Sequence, residues 1–145
     1  MPCCDIFEKW KAEENLLRMY NYWIVAVRSK QPTLGSCLII LKRHAESFSD
    51  VSHEEITEFL DIVKDLERGL NNAFSPELIQ YFVLRGTDRH FHFHVLPRYP
   101  KEKEFSGTEW KDTSWPGALR HELEKVDEAQ AETLTAIKDQ IQRNF

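Results

Sequence analysis

A mainly antiparallel β-sheet accompanied by two helices is the architecture this sequence predicts, and three patterns predict it. Residues His90 to Leu96 read His-Phe-His-Phe-His-Val-Leu, a strict two-residue alternation that belongs to an extended strand with one face in the core. Ser52 stands three residues before Glu55, and Ile56, Phe59, Leu60, Val63, Leu66 and Leu70 recur behind it at helical spacing, the pattern of a capped amphipathic helix. Leu78 to Leu84 has strand character and lies only a few residues before the histidine run, so the two pair as an antiparallel hairpin.

The remaining elements follow in order. Asn15 to Val27 is rich in Leu, Tyr, Trp, Ile and Val with Asn21 near its middle, and reads as a short strand turning into a second, Trp23 to Val27. Pro32 and Gly35 mark a loop. Ser36 to Leu41 is a nearly continuous apolar run that suits a central strand covered on both faces. Asn71, Asn72 and Ser75-Pro76 end the capped helix, and Gly86 to Arg89 turns the chain into the histidine strand. The stretch from Pro97 to Gly117 is polar and aromatic, with Phe105, Trp110 and Trp115 as anchors for an ordered loop. A final helix is expected over Asp127 to Asn144, where Leu134, Ile137 and Ile141 share a face, and Ala118 to Val126 is read as a further helical segment.

A chain of 145 residues, 41% hydrophobic and 12% aromatic, has the length for one domain with a real core, residues 1–145. A formal net charge of −5 argues against non-specific nucleic-acid binding, which needs a broad positive surface. Around the histidines, however, stand Arg85, Arg89, Arg98 and Lys101, opposed by Asp88. That basic island suits an anionic small molecule. No segment approaches the roughly 20 apolar residues of a membrane span, and the N-terminus lacks the apolar stretch of a signal peptide, so a cytoplasmic protein without a membrane partner is expected. Three cysteines, two of them adjacent at Cys3 and Cys4, form neither a disulfide framework nor a Cys-x-x-Cys half-site, and reduced thiols are expected.

A single histidine on a strand is commonly a satisfied, partly buried side chain. Three in register, with apolar residues in every gap, have no obvious folding benefit, and a metal site, an acid/base site and a nucleophile with helpers all come into view. Strand residues four apart have α carbons about 13 Å apart, whereas a zinc ligand nitrogen sits about 2.0–2.1 Å from its metal. Two neighbours in the row could share an ion, and a metal at His90 or His92 with a partner from another strand stays open. A phosphate chain fits the row better, meeting each imidazole in turn. His92, flanked by a histidine on each side, is then the natural nucleophile, forming a covalent phosphoramidate while its neighbours stabilise charge on the oxygens. This scheme calls for no metal and no cofactor.

The run His-Phe-His-Phe-His-Val-Leu resembles the signature of the histidine triad (HIT) family of nucleotide hydrolases and transferases. Pro32-Thr-Leu-Gly35-Ser-Cys-Leu-Ile-Ile-Leu-Lys-Arg-His44 resembles that family's glycine, apolar strand, basic pair and histidine. The resemblance covers about Asn15 to Tyr99, and the tail Phe105 to Trp115 is similar to that of bacterial diadenosine polyphosphate hydrolases. It implies an α+β fold with a five-stranded antiparallel sheet, one long central helix and a C-terminal helix, usually as a homodimer. It implies hydrolysis of a dinucleoside polyphosphate or a nucleoside phosphoramidate through a nucleotidyl-histidine. It further implies His92 as nucleophile, His90 as its support, His94 on the phosphates and His44 as an additional site histidine; Arg89, a member of the basic island, is expected among the phosphate contacts. Thr87 matches a Ser/Thr that assists the leaving group and reads equally as an ordinary turn residue. His53 and His121 sit beside glutamates and are expected to face solvent.

The sequence departs from the family at three points. Arg28 stands where an acceptor for the ribose hydroxyls is expected, and a guanidinium cannot accept a hydrogen bond. Gly86 stands where many members carry glutamine, in a turn before the triad that is short, and the N-terminal cysteines do not reproduce the zinc pair of some members. A nucleotide-binding or sensing module of low turnover, or a nucleotidyl transferase, is therefore the alternative reading.

Overall fold

The computed structural model describes residues 5–84, 88–119 and 127–145. Strands β1 (Leu16–Met19), β2 (Trp23–Val27), β3 (Cys37–Leu41), β4 (Leu78–Phe82) and β5 (His92–Arg98) form one sheet in the order β1-β2-β3-β5-β4. Every neighbouring pair is antiparallel. β2 and β3 are built of apolar residues and are buried throughout, as expected of central strands covered on both faces.

The two faces carry different layers. On one, Val25, Ile39, Phe91, Phe93 and Val95 pack with Ile62, Leu66 and Leu70 of helix α2 (His53–Phe74) and with Ile137 and Ile141 of helix α3 (Ala131–Asn144). On the other, Ile24, Ala26, Leu38 and Ile40 pack against Ile6, Trp10 and Ala12, which belong to the one-turn helix α1 (Ile6–Lys9) and the chain just after it. Sequence periodicity gives no warning of so short an element. Among the described residues no helix is long and apolar enough to cross a membrane.

Helix α2 carries the expected capping box. The Ser52 hydroxyl accepts from the Glu55 N–H at 3.1 Å, and the Glu55 carboxylate accepts from the Ser52 N–H at 2.7 Å, satisfying two amides that a helix start otherwise leaves open. Arg43 donates to both Glu55 oxygens, at 2.7 and 2.8 Å. Beside that pair Glu55 is held below the usual carboxylate range. The buried stripe differs from the expected one: Ile62 and Phe74 belong to it, while Leu60 is 57% exposed. Two residues along a helix amount to about 200° of rotation, so Leu60 and Ile62 cannot share a face. The helix also continues through Asn71 and Asn72, which lie on its solvent side, until Ser75 adopts a left-handed conformation at φ 52°.

Gly35 makes the turn into β3 possible. Its φ is +88°, and a Cβ there would lie 3.1 Å from side-chain carbons of both Leu70 and Phe74. A Gly35→Ala substitution is expected to cost about 1–3 kcal/mol through backbone strain and crowding, read as a lower urea midpoint with an unchanged denaturant slope.

Three further boundaries differ from expectation. β5 begins at His92 rather than His90, because the Phe91 N–H turns to the Ala45 carbonyl at 2.7 Å. The C-terminal helix begins at Ala131 rather than Asp127, because Glu128 bridges Lys30 and the Ala129 N–H donates to the Ser29 carbonyl at 3.0 Å. Ala118 and Leu119 are not helical, and 120–126 lie outside the described residues. The aromatic loop contains a small hairpin, β6 (Lys103–Phe105) with β7 (Thr108–Trp110). Its anchors hold as expected: Phe105 meets Phe74 edge-on at 5.1 Å, and Trp110 donates to the Gln31 carbonyl at 2.9 Å.

Candidate active site

Alternation along β5 sends Phe93 and Val95 into the helix-covered core and His92 and His94 to the opposite face, where His90 joins them. All three imidazoles are buried, none more than 4% exposed, and each has a defined hydrogen-bonding role. His90 Nε2 lies 2.6 Å from the Leu41 carbonyl; a carbonyl only accepts, so Nε2 carries the proton. His92 Nδ1 lies 2.6 Å from the His90 carbonyl and is protonated for the same reason. The neutral His92 ring therefore presents a bare lone pair at Nε2. His94 Nε2 stands 3.2 Å from that lone pair and donates to it.

Electrostatics keep the pair neutral. Burial pushes the His92 pKa down. His94 is lowered from its ordinary 6.5 to about 3, first by burial, then because His92 and His94 disfavour each other's protonation, and then by the charges of Arg28 and Lys9. The sign of the linkage follows. Below about pH 6.5 the unfolded chain takes up a proton that native His94 refuses, so stability falls as pH drops from 6.5 toward 3, and above 6.5 the group contributes nothing. Between about pH 7 and about pH 5 the wild type is expected to lose more stability in denaturant titrations than His94→Gln.

The row is roofed by the N-terminal segment. Phe7 meets His90 edge-on at 5.3 Å, and Trp10 meets His94 edge-on at 6.0 Å. The Arg28 guanidinium stacks over the Trp10 ring at 4.6 Å, and Lys9 pairs with Asp88 at 2.8 Å. His44 completes the other end, its ring 5.6 Å from that of His90 and its Nε2 3.1 Å from Glu46. His44 and the triad are legible in the sequence, whereas no pattern there marks Phe7, Lys9 or Trp10.

The basic island is rearranged. Arg98 is wholly buried and its charge is matched by Asp112. The Arg89 side chain is 75% exposed and 4.0 Å from Glu46, and Lys101 is exposed; neither joins the enclosed row. The cations that act on the histidines are Lys9 and Arg28. Arg85, Gly86, Thr87 and His121 lie outside the described residues, and His53 is exposed as expected. His92 and His94 could share one ion at Nε2, and among the described residues no group of three or more His, Cys, Asp or Glu side chains could hold a metal.

Such a set can do specific chemistry: a lone-pair nitrogen with its ring fixed from behind, and an N–H donor beside it. The comparisons with known proteins agree with the fold. Over 86 residues the chain is 29% identical to Protein hit of Bacillus subtilis strain 168, covering 56% of this chain and 59% of that one. Over 83 residues it is 32% identical to adenosine 5′-monophosphoramidase hnt1 of Schizosaccharomyces pombe, covering 52% and 57% respectively. The chain thus spans just over half the length of these curated relatives. A histidine triad protein of Sinorhizobium meliloti superposes with a TM-score of 0.72 at 15% identity over 93% of both chains. Plasmodium falciparum diadenosine triphosphate hydrolase does so with a TM-score of 0.66 at 14% identity, over 99% of this chain and 95% of its own. The HIT domain model matches residues 14–101, more than half of the chain, and the protein belongs to the HIT domain family.

Proposed function

We propose that this protein is a nucleotide hydrolase that breaks a phosphoanhydride or phosphoramidate bond through a nucleotidylated His92. The observation that carries the reading is the 2.6 Å bond from His92 Nδ1 to the His90 carbonyl, which fixes the tautomer and leaves Nε2 as a nucleophile. The Nε2 lone pair attacks the α-phosphorus, the bond to the leaving oxygen or nitrogen breaks, and that atom departs with the bonding pair and takes a proton. Water then attacks the same phosphorus, cleaves the P–N bond to His92, and loses a proton to solvent. His94 Nε2–H, 3.2 Å from His92 Nε2, transfers its hydrogen bond to a phosphoryl oxygen as charge develops there. His90 and His44 support the ring and the phosphates.

A largely apolar pocket of about 490 Å³, lined by Phe7, Ala12, Leu16, Met19 and Ile24 with Glu13 and Lys42 among its charged walls, adjoins His90 through Phe7. Its size and lining suit a nucleobase. A phosphoramidase among the curated relatives and a diadenosine triphosphate hydrolase among the structural neighbours support the two substrate classes, and a homodimer is the assembly we propose. The test is to incubate the protein with an adenosine phosphoramidate and a diadenosine polyphosphate, quench, and measure intact mass. Addition of one nucleotidyl group, mapped to His92, is the expected result; turnover without adduct at any time point overturns the covalent route.

A second reading is favoured by one observation. Phe7 and Trp10 cover the row, which suits a binding or sensing module of low turnover. Nucleoside monophosphate binding in calorimetry, with neither adduct nor product, selects it.

A further inference from the structure

Among the described residues Arg28 is a buried cation without an anion. It is 4% exposed. Its Nη1 reaches the Lys30 carbonyl at 3.3 Å, its Nε has no partner, and no carboxylate pairs with it among the described residues. A charge taken out of water is costly unless it is paired and hydrogen-bonded, and burial alone lowers this guanidinium to about 10. Trp10, stacked against it at 4.6 Å, also buries an indole N–H with no acceptor. Two adjacent donors, one of them charged, therefore lack what an anion supplies.

Their position relates them to the reacting histidines. Ala26, Leu38 and His94 lie opposite one another across β2, β3 and β5. The Arg28 N–H continues that ladder to the Ser36 carbonyl at 2.9 Å, and Arg28 stands two residues from Ala26, so alternation puts its side chain on the histidine face. Trp10 bridges the two, edge-on to His94 at 6.0 Å. The charge of Arg28 is felt at His94. Arg28 is thus beside the row, beyond His94, and not at the His92 nitrogen.

We infer that Arg28 and Trp10 form a subsite for a second anionic group on the substrate, separate from the phosphate that reacts at His92, and that the preferred ligands are nucleotides phosphorylated on the sugar as well as at the 5′ position. This rests on the nucleotide reading above. A guanidinium presents donors that match a phosphate in two bonds and can only donate to a ribose diol. The same exchange, an acidic residue for the diol and an arginine for a sugar phosphate, separates two classes of dinucleotide site on another fold.

The probes are adenosine and guanosine 5′-monophosphates and the corresponding 2′,5′- and 3′,5′-bisphosphates, titrated into the whole protein by calorimetry. At least one bisphosphate is expected to bind about tenfold or more tightly than its monophosphate, consistent with one charge-assisted pair. The 2′ and 3′ isomers report which sugar position is read. In Arg28→Gln that ratio should fall to near one, and in Arg28→Lys, which keeps the charge, a ratio of several-fold should remain. Equal affinity for mono- and bisphosphates in the wild type overturns the subsite and leaves the nucleotide reading standing. Loss of the ratio in both variants, with circular dichroism unchanged, assigns the effect to bidentate geometry and still supports the subsite. A ratio unchanged in Arg28→Gln overturns it. If no nucleotide of either kind binds and no adduct forms at His92, the nucleotide reading falls, and the subsite with it.

Discussion

Replacing His92 by Ala is expected to abolish the proposed nucleotidyl adduct and to lower turnover by roughly 10⁴-fold or more, the scale seen when a covalent nucleophile is removed from a preorganised site. The reason is in the hydrogen bonds. His90 Nε2 is committed to the Leu41 carbonyl at 2.6 Å and His94 Nε2 points its proton at His92, so neither neighbour offers a free lone pair at the central position. A bystander ring cannot step in. His92→Gln is the sharper variant: its amide N–H can still donate to the His90 carbonyl, but no nitrogen nucleophile remains, so binding of a nucleoside monophosphate is retained within several-fold while the adduct is lost. A loss of about 10⁴ corresponds to about 5.5 kcal/mol of transition-state stabilisation. Intact-mass detection of adduct together with single-turnover kinetics measures both effects. Adduct in either variant, at any yield, removes His92 from the nucleophilic role.

Much of this site was legible because its signal is local. The period-two run from His90 to Leu96 specifies a strand with two unlike faces, and the structure sends Phe93 and Val95 to the helices and His92 and His94 to the other side. The capped helix and the apolar runs at Trp23 to Val27 and Cys37 to Leu41 are equally local. What escaped is long-range. Lys9 meets Asp88 across 79 positions, and no spacing in the sequence reports that Phe7 and Trp10 roof the histidines. The charge map failed for the same reason: Arg98 is near the row in sequence, yet its partner Asp112 lies in a loop whose path the composition did not reveal. Arg28, conversely, is distant in sequence and stands out there only as a departure from the family pattern; sheet register is what brings it beside the row. His90 left the strand because an amide one residue on found Ala45, a competition that periodicity does not see.

Arg98→Met is expected to destabilise the fold by about 3–5 kcal/mol, the cost of leaving one half of a buried ion pair unmatched. Arg98 is wholly buried and each nitrogen of its guanidinium is engaged: Nε donates to Asp112, Nη1 to Gln80 at 2.9 Å and Nη2 to the Gly117 carbonyl at 2.8 Å, with the Trp115 ring 5.6 Å away. Methionine fills much of the volume, so the loss reports charge and hydrogen bonding more than a cavity. The Asp112 side chain is itself 4% exposed and receives the Ser114 N–H at 3.0 Å, and without Arg98 it stays buried and uncompensated. The double variant Arg98→Met with Asp112→Leu removes both charges and should recover a substantial part of the loss, since replacing a buried pair by apolar groups is often neutral or favourable. Because Gln80 and Arg98 belong to paired strands while Asp112 and Gly117 belong to the following loop, the arginine staples that loop to the far end of the strand bearing His92 and His94. Denaturant titration of the three variants decides the matter. A single variant within about 1 kcal/mol of wild type, the range of an exposed ion pair, rules out the staple.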